Sequence, residues 1–573
     1  MNPDKINKKL AKNGFEGFSV RESDDGLVLT GKSDSWDDIV NAGFCAAKKY
    51  GKQHVINDCS FTGDTIAPMR MPAISDKAID GAAPDVLIIG GGVVGAAIAR
   101  ELMRWKLEVL LVEKEYDLAI GASGRNDGCV HPGIDLLPGS LKRKYNLAGN
   151  RMFDTLSKEL DVDFERCGQT LVMDSKKLLP LMPLAKLYFK CMGLGNVKIL
   201  TEKKLKVHEP ALRDDMKCGL FFPTGGVVCP YNLTIAYGEN AADNGANISL
   251  DTAVLSMETK NGSIVSVTTN RGTVYPKVVV NAAGVFTEEI SKMAGDRFYS
   301  IHPRKGTNTI LDRKTAAMVR TSYSLISAIK EEGHSKGGGV IRTVDNNVLV
   351  GPDAFETYKK EDYTTEAKNI AAVFAKQGRA TEQLHQYDAI TYFSGIRAAT
   401  FEEDFIVERG RKCKNLVHAA GIQSPGLTAA PAIAVDVSKM CVELLGEQGR
   451  TAARNDKFSP KRRAIPRTAH MNDRERSELI KQNPDFGEIV CRCEEISRGE
   501  IVSAINRSVP CKTVDGVKRR CRPGMGRCQG GFCGPLVAKI ISEEKGIPLE
   551  EVCKAGGRSK LLYGKSKGGI SNG

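Results

Sequence analysis

Residues 85–115, DVLIIGGGVVGAAIARELMRWKLEVLLVEKE, leave the chain few folds to adopt. An apolar run, the spacing Gly90-x-Gly92-x-x-Gly95, an amphipathic stretch and a second apolar run ending at Glu113 read as strand, turn, helix and strand. Gly90 permits the turn, Gly92 lets main-chain N–H groups approach a pyrophosphate at the helix N-terminus, and Gly95 allows helix and strand to pack closely. Glu113 can accept hydrogen bonds from ribose hydroxyls. Strand, helix, second strand and terminal acid in that order specify a dinucleotide site.

Around this unit the sequence divides by composition. Residues 1–66 read as a helix, a hairpin turning at Asp25-Gly26, a helix capped by Ser35 and a short strand. This small α/β module resembles BON-type modules and equally fits an ordinary packing domain. Residues 67–84, rich in small residues and punctuated by proline, read as a linker, and from 85 to 445 strands and helices alternate without a break. Residues 446–486 are polar, charged and proline-punctuated, a second linker; 487–555 hold clustered cysteines, and 556–573 form a Gly/Ser/Lys-rich flexible tail. No window approaches the roughly eighteen apolar residues of a membrane span, and the opening MNPDKINKKL lacks the apolar stretch of a signal peptide. A cytoplasmic location is expected, with peripheral membrane association left open.

The net charge of +13 raises nucleic acid as a partner, but the excess gathers around Lys461, Arg462 and Arg463 and in the cysteine segment, with no base-stacking aromatic pattern. It favours an anionic substrate, an anionic cofactor or an acidic partner, and no nucleic acid. Of sixteen cysteines, Cys491, Cys493, Cys511, Cys521, Cys528 and Cys533 crowd into one segment, which argues for metal and against disulfides. VCRCEEISRG and GMGRCQGGFCGP supply C-x-C and C-x4-C, whereas zinc sites usually show C-x2-C pairs. Four thiolates, Cys491, Cys493, Cys528 and Cys533, suit a [2Fe–2S] cluster better. Gly524, Gly526, Gly530 and Gly531 leave N–H groups free to approach its sulfurs, and Arg492 and Arg527 offset its charge. Cys511 and Cys521 fall outside the pattern and are expected to be small buried residues.

Three further segments, GASGRNDGCVHPGI at 121–134, KVVVNAAGVFTEEI at 277–290 and HAAGIQSPGLTAAPAIA at 418–434, follow in an order that resembles the D-amino-acid-oxidase-type FAD oxidoreductases. Within them, NDGCVH, PTGGVVCPYNL, PRKG, LVGP, SGIRAA and GIQSPGLT are similar to the glycerol-3-phosphate and L-2-hydroxyglutarate dehydrogenase branch. The terminal segment is similar to the bacterioferritin-associated-ferredoxin-like [2Fe–2S] domain found behind such flavin domains, including that of the anaerobic glycerol-3-phosphate dehydrogenase large subunit. The resemblance implies an α/β chain: an FAD-binding Rossmann-type domain with an inserted α+β substrate domain, the small N-terminal α/β module and a small C-terminal helical iron–sulfur module.

It also implies a buried FAD with its pyrophosphate at Gly90–Gly95, Glu113 at the ribose, Ser123, Gly124, Arg125 and Asn126 near the phosphates, and Gly421, Ser424, Gly426 and Leu427 beside the flavin. A helix opening after SPG would aim its positive end at the flavin edge that gains charge on reduction. Removing hydride from a carbon that bears a hydroxyl requires a group to take the hydroxyl proton; imidazole suits the task, and His131 is the candidate base. Arg397 in SGIRAA is the candidate clamp for an anion, because its planar fork can pair two oxygens; Arg304 and Lys305 are secondary candidates, and His418 is expected to be structural. The expected function is an FAD-dependent dehydrogenase of a small anionic hydroxy compound, sn-glycerol 3-phosphate first and L-2-hydroxyglutarate second. Electrons would leave through the cluster to an acceptor protein or a second flavoprotein subunit. The alternatives are an amino-acid or amine dehydrogenase and a non-catalytic electron-transfer subunit.

Overall fold

The computed structural model describes residues 2–326 and 338–564. A six-stranded sheet runs in the order Asn247–Ser249, Val109–Val112, Val86–Ile89, Val278–Asn281, Leu416–Ala420 and Ile406–Arg409. All neighbours in it are parallel except the last pair. Val86–Ile89, Val109–Val112 and Val278–Asn281 are buried throughout, which is why they read as unbroken apolar runs and not as alternating ones. Helices Val93–Leu102, Leu141–Leu160, Pro230–Asp243 and Gly426–Glu447 form an apolar layer on one face. On the other, the antiparallel strands Val254–Lys260, Ser263–Thr269 and Gly272–Val274 close over Leu87, Leu110 and Val279. Each aliphatic side chain so buried contributes about 1.5–3 kcal/mol.

A second, nine-stranded sheet makes the inserted domain. In it His302–Leu311 pairs antiparallel with Ala389–Ala399, in a register that sets Arg304 directly opposite Arg397. The parallel sheet and this one meet around the cavity described below.

The N-terminal module has the expected elements, helix Pro3–Lys12, hairpin Phe18–Ser23 and Gly26–Ser33, helix Trp36–Ala46 and strand Val55–Asn57. Its hairpin turns at Asp24-Asp25, one residue earlier than the sequence suggests, because Ser23 pairs with Gly26 and its hydroxyl donates to the Gly26 carbonyl. Ser35 caps the second helix, accepting from the Asp38 N–H at 3.2 Å.

Residues 67–84 hold no helix or strand and are tied to the domain of the parallel sheet by the paired hydrogen bonds of Arg271 to Asp76, both 2.9 Å. Residues 446–486 differ from the plain connector expected. They carry helix Asp473–Gln482, opened by a capping box between Asn472 and Glu475. Upstream, Arg462 is buried against Glu239 at 2.5 Å and its N–H donates to the Glu159 carbonyl. A carboxylate as deeply buried as Glu239 needs cations, and Arg462 and Arg507 supply them, so the charge of Arg462 is structural. The last module packs helices Arg498–Ile505, Val514–Cys521 and Gly534–Lys545 around Ile501, Val517 and Ile541. Among the described residues no helix is long and apolar enough to cross a membrane.

Candidate active site and cysteine centre

The glycine turn forms as its spacing requires. Gly90 has φ +111, a Cβ on it would stand 2.4 Å from the Ala282 carbonyl oxygen, and one on Gly95 would stand 1.9 Å from that of Gly90. At the helix start the Val93 N–H donates to Ser123 Oγ at 2.8 Å. Glu113 follows its strand and accepts from the Gly91 N–H at 2.6 Å and the Glu115 N–H at 2.9 Å. Burial pushes its carboxyl up to about 7 despite those bonds. Glu113 thus braces the turn, a task the sequence did not announce, and still has lone pairs for a ribose hydroxyl.

Gly90, Gly92, Val93, Glu113 and Ser123 line a cavity of about 530 Å³ whose wall continues through Arg125 and Asn126 to His131, Arg304, Arg397, Gln423, Ser424, Gly426 and Leu427. The volume is in the range of cofactor and small-molecule sites. Gly95, Gly124 and Gly421 are not part of the wall. A Cβ on Gly124 would meet the Ala119 oxygen at 2.1 Å, and one on Gly421, at φ +63, would meet Thr400 Cγ2 at 2.7 Å, so packing requires both glycines. Asn126 braces its own loop, donating to the Ala122 and Ser123 carbonyls and accepting from the Gly128 N–H. The Arg125 guanidinium lies 4.1 Å from the centre of the Tyr363 ring. Helix Gly426–Glu447 begins at the cavity wall and brings its positive end there.

On the same wall, the His131 main chain is held by Thr428, Asn146 and Asn150, and its Nε2 lies 3.5 Å from Ser424 Oγ. The three cations named from the sequence have different surroundings. Lys305 is paired with Asp362 at 2.9 Å, and Arg304 with Glu356 at 2.6 Å and Glu403 at 2.7 Å. Arg397 donates hydrogen bonds only to the carbonyls of Lys305 and Asp353, at 3.5 and 3.3 Å, among the described residues, while the Asp127, Asp353 and Glu356 carboxylates are near enough to favour its charge without pairing with it. Burial, and then Arg304 opposite, pull its pKa below the ordinary guanidinium value. A buried guanidinium whose hydrogen bonds go only to carbonyls is suited to an incoming anion. Gln423 and Glu403 were not singled out from the sequence. Gln423 lies inside GIQSPGLT, while Glu403 has no local signal. His418 is a core histidine, bonded through Nε2 to Asp296 at 3.0 Å and through Nδ1 to Tyr299 at 3.4 Å.

In the last module, Cys491 Sγ lies 3.8 Å from Cys493 Sγ, which lies 4.0 Å from Cys528 Sγ, and Cys533 joins through Cys491. Among the described residues no group of three or more His, Cys, Asp or Glu is arranged to hold a metal ion; the four thiols follow one another in a chain, Cys533, Cys491, Cys493 and Cys528. The Cβ of any other residue at Gly526 would stand 2.5 Å from Cys493 Sγ. Main-chain N–H groups of Phe532 and Gly530 pull Cys528 below its ordinary value, and a bond from Cys533 pulls Cys491 down, while burial pushes Cys493 up and the bond to Cys491 pushes Cys533 up. The N–H groups at Cys528 are donors that favour a thiolate there. Cys511 and Cys521 are buried, donating to the Ala504 and Val517 carbonyls. The module is keyed to the flavin domain by Arg520 on Asp117, at 2.7 and 3.0 Å, and Arg522 on Asp345 at 2.6 Å. Arg527, expected to offset cluster charge, pairs with Asp312 at 2.6 Å.

Residues 85–440 match the FAD dependent oxidoreductase family, DAO, and the chain belongs to it. It is a flavin-binding member with a second cofactor module, since residues 489–543 match the BFD-like [2Fe-2S] binding domain. The glycerol 3-phosphate dehydrogenase of Caloramator mitchellensis is 40% identical over 486 residues, covering 84% of this chain and 99% of the relative. Subunit A1 of the anaerobic glycerol-3-phosphate dehydrogenase of Haloferax volcanii is 24% identical, covering 80% of this chain and 83% of its own. Among solved structures, the FAD-bound, dithionite-reduced L-α-glycerophosphate oxidase of Mycoplasma pneumoniae aligns with a TM-score of 0.60 and 26% identity, covering 66% of this chain and 98% of that one.

Proposed function

We propose that this protein is a dehydrogenase of sn-glycerol 3-phosphate, with L-2-hydroxyglutarate as the second choice, and that it hands electrons through its cysteine centre to a partner in the cytoplasm. The observation that carries the reading is Arg397, a buried cation whose hydrogen bonds among the described residues go only to carbonyls, on the same cavity wall as His131. The relative that shares 40% identity over nearly its whole length bears the name of that activity. Bound FAD supplies the hydride acceptor and the two-iron cluster a one-electron relay.

In this reading the turn at Gly90–Gly92 and the start of helix Val93–Leu102 receive the pyrophosphate, Glu113 receives the ribose, and Ser123, Arg125 and Asn126 stand near the phosphates. The Arg397 guanidinium pairs with the phosphate or carboxylate of the substrate and turns its hydroxyl-bearing carbon toward the flavin. His131 Nε2 takes the hydroxyl proton as the C–H bond breaks, while Asn146 and Asn150 fix the histidine's main chain. Cys491, Cys493, Cys528 and Cys533 ligate the cluster. The test is anaerobic bleaching of the flavin by glycerol 3-phosphate, L-2-hydroxyglutarate and a panel of amino acids in turn. Bleaching by glycerol 3-phosphate at the lowest concentration is expected; bleaching by an amino acid alone would overturn the reading.

A further inference from the structure

The proposed chemistry leaves the N-terminal module without a task, yet that module is joined to the substrate wall. Glu402, buried, accepts from the Val55 N–H at 2.8 Å and is bonded to His54 Nδ1 at 3.1 Å. The Tyr50 N–H donates to the Glu402 carbonyl at 2.7 Å. Phe44 stands edge-on to His302 and Phe401, with ring centres 5.1 and 5.9 Å apart, and a Cβ on Gly43 would strike Phe401 at 2.2 Å. The fit is too close for a loosely tethered domain.

The next residue turns that joint toward the cavity. Glu403 has φ +57, a left-handed conformation that a residue with a side chain keeps only where its surroundings hold it. Its carboxylate accepts from Arg304 Nη2 at 2.7 Å and Gln423 Nε2 at 2.8 Å. Although burial opposes it, Arg304 and then Lys142 hold the Glu403 carboxyl far below the usual carboxylate range. Arg304 and Gln423 both line the cavity, and Arg304 faces Arg397 across the strand pair. Two guanidinium groups in that register repel, and Glu403 is one of the two carboxylates that pair with Arg304 and offset its charge.

We infer that the N-terminal module is the outer clamp of the substrate pocket: His54 and the Val55 main chain, by holding Glu402, set Glu403 and through it Arg304 and Gln423 for an anionic substrate. The inference rests on the proposed substrate reading. His54 is a positioning residue, so its removal should alter affinity and leave the chemical step alone.

The experiment uses the full-length flavin-loaded protein and follows anaerobic flavin reduction against glycerol 3-phosphate concentration. His54→Ala should raise the apparent Kd about 2- to 13-fold, the loss of one hydrogen bond, with the limiting rate within about twofold of the parent. His54→Asn, whose amide can reach Glu402, should restore most of the affinity. A parent Kd in His54→Ala, or a loss confined to the thermal midpoint, would overturn the inference. Should His54→Ala fail to load flavin, Phe44→Leu probes the same joint, and a parent Kd there counts equally against it. A parent protein that glycerol 3-phosphate does not bleach would sink the functional reading instead; calorimetric binding of inorganic phosphate to parent and variant then tests the clamp without turnover.

Discussion

The flavin pocket and the cysteine centre are built on opposite plans. The pocket gathers residues from Gly90 to Leu427, distant in sequence, onto the ends of a buried parallel sheet, and its shape comes largely from glycine and main-chain geometry. The cysteine centre draws its four thiols from residues 491–533, and its shape comes from two short loops. A long-range site depends on the whole fold, whereas a local one depends on its own module. Each can therefore be damaged without the other, even though ion pairs such as Asp117–Arg520 hold the two at a fixed distance.

The sharpest way to break this contrast is at Gly92, where a Cβ would already lie 3.0 Å from Ser123 Oγ. Gly92→Leu should abolish flavin binding, read as loss of visible flavin absorbance, while iron and sulfide stay at parent levels. Loss of both cofactors together would show that the centre is not local. The converse is Cys528→Ser, which should remove the cluster yet leave flavin bleaching by substrate at the parent rate. Cys521→Ser should keep its iron, because that thiol is bonded to Val517 inside the core.

Within the pocket, His131→Ala should slow flavin reduction by about 10²–10⁴, the usual cost of losing a general base, with little change in substrate affinity. Arg397→Ala should do the reverse and raise Kd by about 30- to 1000-fold, as expected when a buried charge pair loses one partner. Equal effects on rate and affinity in both variants would dissolve the division of labour between them. Stopped-flow reduction across substrate concentrations measures both quantities.

The smallest effect concerns Glu113. Burial raises its carboxyl to about 7 in the folded chain, so the folded state holds a proton that the unfolded state releases near the ordinary carboxylate value. Its contribution to stability is complete at low pH and is lost as pH climbs toward 7, by at most about 3 kcal/mol. Glu113→Gln should flatten that part of the pH profile of the thermal midpoint in flavin-free protein, whereas Cys528→Ser should leave it unchanged.

Some of this was legible before any fold was known. The order of strand, glycine turn, helix and acid, the cap at Ser35 and the spacing of the four cysteines are local patterns, and local backbone sterics and hydrogen bonding determine them from the residues alone. Tertiary structure decided what those patterns meet. It set Arg304 opposite Arg397, gave Arg304 and Lys305 carboxylates and left Arg397 with carbonyls, turned Arg462 and Arg520 inward onto Glu239 and Asp117, and seated His54 on Glu402. The partner of a charge depends on which faces come together across hundreds of residues, and no short stretch of sequence contains that information.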